Sequence, residues 1–199
     1  MSFSVPCTGI LLAAGRGRRY DLSGASDKLM QLLPDGHTVA LSSALNLRAV
    51  LPDMVVVVRP DNPDLVREME QHGFRTLICE AADTGMAASL TCALRDTMDS
   101  AGWIIALGDM PFVRPVTIAA LHHSLLNGAD IAAPVFQGRR GNPVGFSRTH
   151  LPELLQLSGD QGARHVLSHA NVTTVNVDDA GILHDVDVPA DLIFPSAAC

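Results

Sequence analysis

Aromatic side chains make up only 4% of the 199 residues, and cationic ones are outnumbered, 14 Lys and Arg against 21 Asp and Glu. With a formal net charge of -7 and no stripe of interleaved basic and aromatic residues, nucleic acid is excluded as the principal partner, because affinity for a phosphate backbone needs a broad positive surface. The four cysteines, Cys7, Cys79, Cys92 and Cys199, include no C-x-x-C pair and read as core or terminal thiols, which suits a reducing cytoplasm. No apolar run is long enough for a membrane span. The one near the N-terminus passes straight into Gly15-Arg-Gly-Arg-Arg19 instead of following a basic region, so a soluble protein without an export signal is expected. Repeats and low-complexity tracts are missing too, and at 47% hydrophobic residues the chain is expected to fold as one domain over 1–199.

What is present is an alternation. Short apolar runs at Thr8 to Ala13, Met54 to Val58, Arg75 to Cys79, Trp103 to Leu107 and Asp130 to Val135 take turns with segments of helical spacing. Ala40, Ala44, Leu47 and Leu51 define one helical face, Ile118, Leu121 and Leu125 a second behind Pro115, and Ala163, Val166, Leu167 and Ala170 a third. Runs that are apolar throughout, such as Val55 to Val58, belong where helices bury both faces of a parallel sheet. The expectation is therefore an α/β three-layer sandwich with a mostly parallel central sheet. Ligands of such sheets gather at the carboxyl ends of the strands, which places the loops after Ala13, Cys79 and Leu107 along one edge.

The few basic residues are concentrated. In Gly9-Ile-Leu-Leu-Ala-Ala-Gly-Arg-Gly-Arg-Arg-Tyr20, a buried strand runs into a turn carrying Arg16, Arg18 and Arg19, with Lys28 shortly after. Gly15 and Gly17 let backbone N–H groups come close to anionic oxygens, and the cations add charge, so the turn reads as a phosphate loop for a nucleotide or a phosphorylated metabolite. A dinucleotide fingerprint fails, because Tyr20 stands where the third glycine belongs and no acidic residue follows the second strand at the required offset. A Walker A loop fails for lack of Gly-Lys-Ser/Thr.

Leu107-Gly-Asp-Met-Pro111 puts Asp109 at the same sheet edge, where a carboxylate suits a hard cation such as Mg2+; capping of the following helix is the alternative. In His184-Asp-Val-Asp-Val-Pro189, strand alternation would turn Asp185 and Asp187 to one side, and either offers a second ligand. Mg2+ between them would bridge nucleotide phosphates and offset charge developing at phosphorus. His165 and His169 sit one helical turn apart, but no third ligand or HExxH pattern accompanies them, so a transition-metal site is not favoured.

Leu12 to Tyr20 with Lys28, Gly85-Met-Ala-Ala-Ser-Leu90, Leu107 to Pro111, Arg140-Gly-Asn-Pro-Val144, Gly159-Asp-Gln-Gly-Ala-Arg164 and Asp185-Val-Asp-Val-Pro-Ala-Asp-Leu192 together carry a resemblance. The chain resembles the molybdenum cofactor cytidylyltransferases, MocA-like members of the sugar-nucleotidyltransferase-like superfamily. That resemblance implies a Rossmann-like nucleotide-diphospho-sugar transferase fold. It implies transfer of CMP from CTP to the terminal phosphate of molybdenum-molybdopterin, and transient contact with a recipient molybdoenzyme. It also assigns Leu12, Ala13, Ala14, Gly15, Arg16, Gly17, Lys28, Gly85 and Ser89 to the nucleotide, Arg19, Lys28 and Asp109 to catalysis, and Asp109 and Asp187 to Mg2+. Arg140, Asn142, Asp160, Gly162 and Arg164 fall to the acceptor; a hairpin turn at 139–142 and an N-cap at Asp160 are the alternatives. Guanylyltransferase relatives usually show Leu-Ala-Gly-Gly where this chain has Leu12-Ala-Ala-Gly15, so Ala14 favours CTP. Ala87, Ala93 and Asn142 depart from the usual pattern and bear on the acceptor. A nicotinamide-linked oxidoreductase, another base or acceptor, and a non-catalytic cofactor-insertion factor stand as rival readings.

Overall fold

Met54–Val58 is buried at every position, as a strand covered on both faces must be. In the computed structural model, which describes residues 6–17, 20, 27–159, 162–168 and 170–193 (of 164 and 165 the backbone only), this run is the strand β2. It lies parallel to β1 (Thr8–Leu12) and β3 (Thr76–Ile78), and β1 in turn is parallel to β4 (Gly102–Leu107). Beyond β4 two strands run against the others. β7 (Val144–Ser147) runs antiparallel to both β4 and β5 (Ile131–Phe136), and β6 (Arg139–Arg140) is antiparallel to the far end of β5. β8 (Val172–Asn176) pairs parallel with β5, completing an eight-stranded, mostly parallel sheet.

Period-two alternation divides the sheet's side chains between two cores. Leu11, Val56, Val58, Ile104 and Ala106 face α1 (Val39–Arg48), α2 (Pro63–Gln71) and α4 (Pro115–Leu126). Ile10, Val55, Val57, Trp103 and Ile105 face α3 (Met86–Asp96) and the short α5 (Leu151–Leu154). The helix starts follow local chemistry: Thr38 caps α1 by accepting from the Leu41 N–H at 3.1 Å, Asn62 caps α2, and Pro63 and Pro115 stand in first turns. Among the described residues no helix is long and apolar enough to cross a membrane.

Three local expectations change. Ala163–Ser168 is a 3-10 segment in place of an α-helix; Val166 and Leu167 are still buried, since the three-residue spacing of Ala163 and Val166 is met equally by a 3-10 turn. The hairpin turns at Gln137-Gly138, both at positive φ, one step before the segment 139–142 where a turn stood as the alternative to an acceptor contact. His184 to Val188 is extended but forms no named strand; its Val186 N–H donates to the Asp109 carbonyl at 2.8 Å. Arg18, Arg19, Asp160, His169 and Cys199 lie outside the described residues, as do the side chains of Arg164 and His165.

The turn before His184 is wedged tightly into the fold. A Cβ on Gly181 would lie 2.1 Å from the Phe112 carbonyl oxygen and 2.5 Å from its carbon, and backbone atoms cannot swing aside. Gly181→Ala is therefore expected to cost about 1–3 kcal/mol, read as a lower urea midpoint at unchanged slope. An unaltered midpoint would show that this turn is loose.

Candidate active site

Parallel strands that end together bring their following loops together. The chain leaving β1 and the chain leaving β4 touch: the Gly108 N–H donates to the Leu12 carbonyl at 2.9 Å, and a Cβ on Gly108 would lie 3.0 Å from the Ala13 Cβ. Above them opens a cleft of about 390 Å³. Leu12, Ala14, Gly15, Arg16, Lys28, Gly85, Ser89 and Asp109 all line it, with Asp83 and Met86 beside them. Ala13 is buried behind the wall, and Gly17, at φ 58, brings its backbone against the Lys28 side chain.

Lys28 is the centre of the charge arrangement. Its Nζ donates to Asp109 Oδ2 at 2.6 Å and to Asp187 Oδ1 at 3.3 Å, although the lysine side chain is only 8% exposed. Burial works against the ammonium, but Asp109 first and Asp187 second outweigh it, holding the Lys28 pKa above its ordinary value. The contribution of this proton to stability is thus in place below the ordinary lysine pKa and is lost only as pH climbs through the raised folded value.

Asp185 completes an acidic group with Asp109 and Asp187, one carboxylate oxygen of each lying within 4.8 Å of the others. Three carboxylates on one side, with open space in front of Asp109, make a donor set of the hard oxygen type that Mg2+ or Mn2+ takes. The Asp191 carboxylate holds the segment in shape by accepting from the Asp187 and Val188 N–H groups at 2.9 and 2.8 Å. Burial pushes the Asp191 pKa up, but these two N–H groups, His184 and Lys28 more than reverse it, leaving it below its ordinary value.

The residues expected at the acceptor separate. Arg140 and Gly141 line a second hollow of about 260 Å³ with Leu167 and Ser168. Asn142 instead points inward: it is buried, its Nδ2 3.6 Å from Met110 Sδ, beside a small void shared with Ser43 and Asn46. Gly162 lies against the lip of the main cleft, where an added Cβ would stand 2.9 Å from Met86 Sδ.

Several pairings at the site were not anticipated from the sequence. Arg16 is paired to carboxylates: Nε and Nη2 donate to Asp83 at 2.6 and 2.5 Å, and Nη1 is 3.2 Å from Asp61. These partners, Asp83 first, raise the proton affinity of Arg16. Asp27 caps the turn that carries Lys28 by accepting from the Leu29 N–H at 2.9 Å, a signal that an acidic residue just before Lys28 does provide. Arg59, in contact with Gly15 and Asp27, has no local signature at all.

The family model for the MobA-like NTP transferase domain matches residues 9–175 of the chain. The purine catabolism protein PucB of Bacillus subtilis strain 168 is 28% identical over 195 residues, covering 92% of each protein. Rv0371c of Mycobacterium tuberculosis H37Rv superposes with a TM-score of 0.81 at 27% identity, covering 94% of this chain and 95% of that one. A structure of Rv0371c in complex with manganese gives 0.78 at 25% identity, with the same coverage. Molybdopterin-guanine dinucleotide biosynthesis protein A from Archaeoglobus fulgidus, at 20% identity and a TM-score of 0.69 over 93% of this chain and 94% of that one, shares the fold. The architecture is that of the nucleotide-diphospho-sugar transferases.

Proposed function

Since the chain belongs to the family of MobA-like NTP transferase domains, we propose that it moves CMP from CTP to the terminal phosphate of molybdenum-molybdopterin, releasing pyrophosphate. Nucleotidyl transfer follows from the family; the base and the acceptor are our reading. One observation carries it: a buried ammonium shared by Asp109 and Asp187 stands in the same cleft as the glycine turn of β1.

The acceptor phosphate is already an oxygen nucleophile, so no side chain need remove a proton from it. Its oxygen forms a new bond to the CTP α-phosphorus as the bond to the bridging oxygen breaks, and pyrophosphate leaves with that electron pair. The protein's task is alignment and charge. Backbone of residues 12–17 cradles the phosphates, Lys28 meets the charge that builds there, and Arg19, outside the described residues, adds a second cation. Mg2+, held by Asp109 and Asp187 with Asp185 within reach, would supply a fixed positive charge to the phosphate oxygens.

Ala14 and the buried Ser89 both line the cleft, and the Ala14 methyl leaves less room there than a second glycine would, which favours a pyrimidine in this reading. Arg140, Asp160, Gly162 and Arg164 fall to the acceptor side in this reading, Arg140 in the second hollow and Gly162 beside Met86 of the main cleft, while the buried Asn142 would act only through its neighbours. It is a cytoplasmic reaction of one nucleotidyltransferase domain, handing its product to a recipient molybdoenzyme.

The test is direct. With Mg2+ and each of the four nucleoside triphosphates, with and without molybdenum-loaded molybdopterin, pyrophosphate is expected from CTP alone and only when the acceptor is present. Release with GTP would reassign the base, release without the pterin would reassign the acceptor, and tight CTP binding without turnover would favour an insertion factor.

A further inference from the structure

We propose that Arg59 is a positioning residue that holds the phosphate loop in its binding form; the substrate it serves rests on the nucleotidyltransferase reading above. The register of β1 on β2, Leu12 opposite Val57 with the Ala13 N–H bonded to the Val57 carbonyl at 2.9 Å, brings Arg59 out beside Gly15. There its guanidinium divides among three directions. Nη1 donates to the Gly15 carbonyl at 2.7 Å, Nη2 donates to Asp27 Oδ2 at 3.2 Å, and Nε lies 2.8 Å from Asp61 Oδ1 without the alignment of a hydrogen bond.

Gly15 and Asp27 bracket the basic turn, so one side chain ties its two ends together. Asp27 is itself fixed, accepting from Asn62 Nδ2 at 2.5 Å and from the Leu29 N–H at 2.9 Å. Arg16, 41% exposed, lines the cleft; Arg59, 13% exposed, does not, and the two guanidiniums share the Asp61 carboxylate, at 3.2 and 2.8 Å. The Gly15–Arg16 peptide is trans, so a Gly15 carbonyl held by Arg59 fixes the Arg16 N–H in the opposite direction, between two residues that line the cleft. The clamp thereby orders an N–H donor and the Lys28 turn before any substrate arrives. Lysine cannot replace it, because a point charge does not fork between a carbonyl and a carboxylate.

A preorganising residue acts on substrate binding more than on the bound reaction. In Arg59→Ala the KM for the nucleotide should rise by about 10- to 100-fold while kcat falls less than about threefold and the acceptor KM stays put. Arg59→Lys should recover only part of that rise, and adding Asp27→Asn to Arg59→Ala should cost less than the two single changes combined. Without any substrate, amide exchange in Arg59→Ala should accelerate at residues 15–17 and 27–29 and remain as in the parent protein in β1, β2 and β4. Unchanged local exchange overturns the clamp, and faster exchange throughout the sheet overturns it in favour of a general stabiliser. A kcat loss with unaltered nucleotide KM also counts against it. If the parent protein releases pyrophosphate from no nucleotide, the functional reading fails, and the exchange pattern still decides the clamp.

Discussion

Asp109→Asn should lower pyrophosphate release by about a hundredfold or more, with the fold intact. Asparagine keeps the shape of the side chain and removes its charge, so the change isolates electrostatics. Asp109 contributes to two things at once: it is the closer of the two carboxylates on Lys28, at 2.6 Å, and one of the three whose oxygens fall within 4.8 Å. Losing it weakens both the proposed seat for a divalent cation and the anchoring of the ammonium that lines the cleft. Stability should change by no more than about 2 kcal/mol, because Asp109 is partly solvated and Asp187 remains at 3.3 Å from Lys28. Steady-state rates across a Mg2+ or Mn2+ titration, with circular dichroism to check folding, measure this. Full activity in the variant would remove Asp109 from the reaction.

Lys28→Met should be more damaging, lowering pyrophosphate release by about a thousandfold, near the upper end for loss of one preorganised stabiliser. Methionine fills much of the same buried volume, so the packing of Gly17 against the side chain's stem survives while the charge does not. The variant should also acquire a new salt response. Asp109, Asp185 and Asp187 would face one another without the ammonium that now touches two of them. Salt screens that repulsion, so stability lost at low ionic strength should be partly regained at high ionic strength. Urea midpoints of parent and variant at the two ionic strengths decide it; parallel behaviour would mean that the acidic group does not depend on Lys28.

The parts of this site that sequence could announce are those where local pattern and sheet logic agree. β1 with its glycine turn, β4 with Asp109 at its end, and the fully apolar β2 are all strand-then-loop signals, and the parallel sheet aligns their ends without further information. β7 and β8 carried weaker signals. Val144–Ser147 is four residues long and follows a proline, and Val172–Asn176 is mostly exposed and carries two threonines. Long-range charge pairing was hidden for a different reason. Arg16 looked like one more phosphate cation, yet its partners Asp61 and Asp83 come from the ends of two other elements, and nothing near Arg16 in the chain specifies them. Arg59 likewise becomes meaningful only once β2 is seen beside β1. Asn142 shows the converse: a motif residue beside Arg140 whose backbone, bonded to Ile182 at 3.0 Å, turns its side chain into the interior.

Gly108 and Ala13 meet with no room for another methyl group. Any larger residue at position 13 would act as a wedge, levering the aspartate two positions beyond Ala106's neighbour Leu107 out of line with the ammonium it faces. Engineering a different base preference by swapping the 12–17 segment alone should therefore damage turnover in proportion to the bulk introduced at 13, and only a joint transplant with 107–110 would separate selectivity from rate.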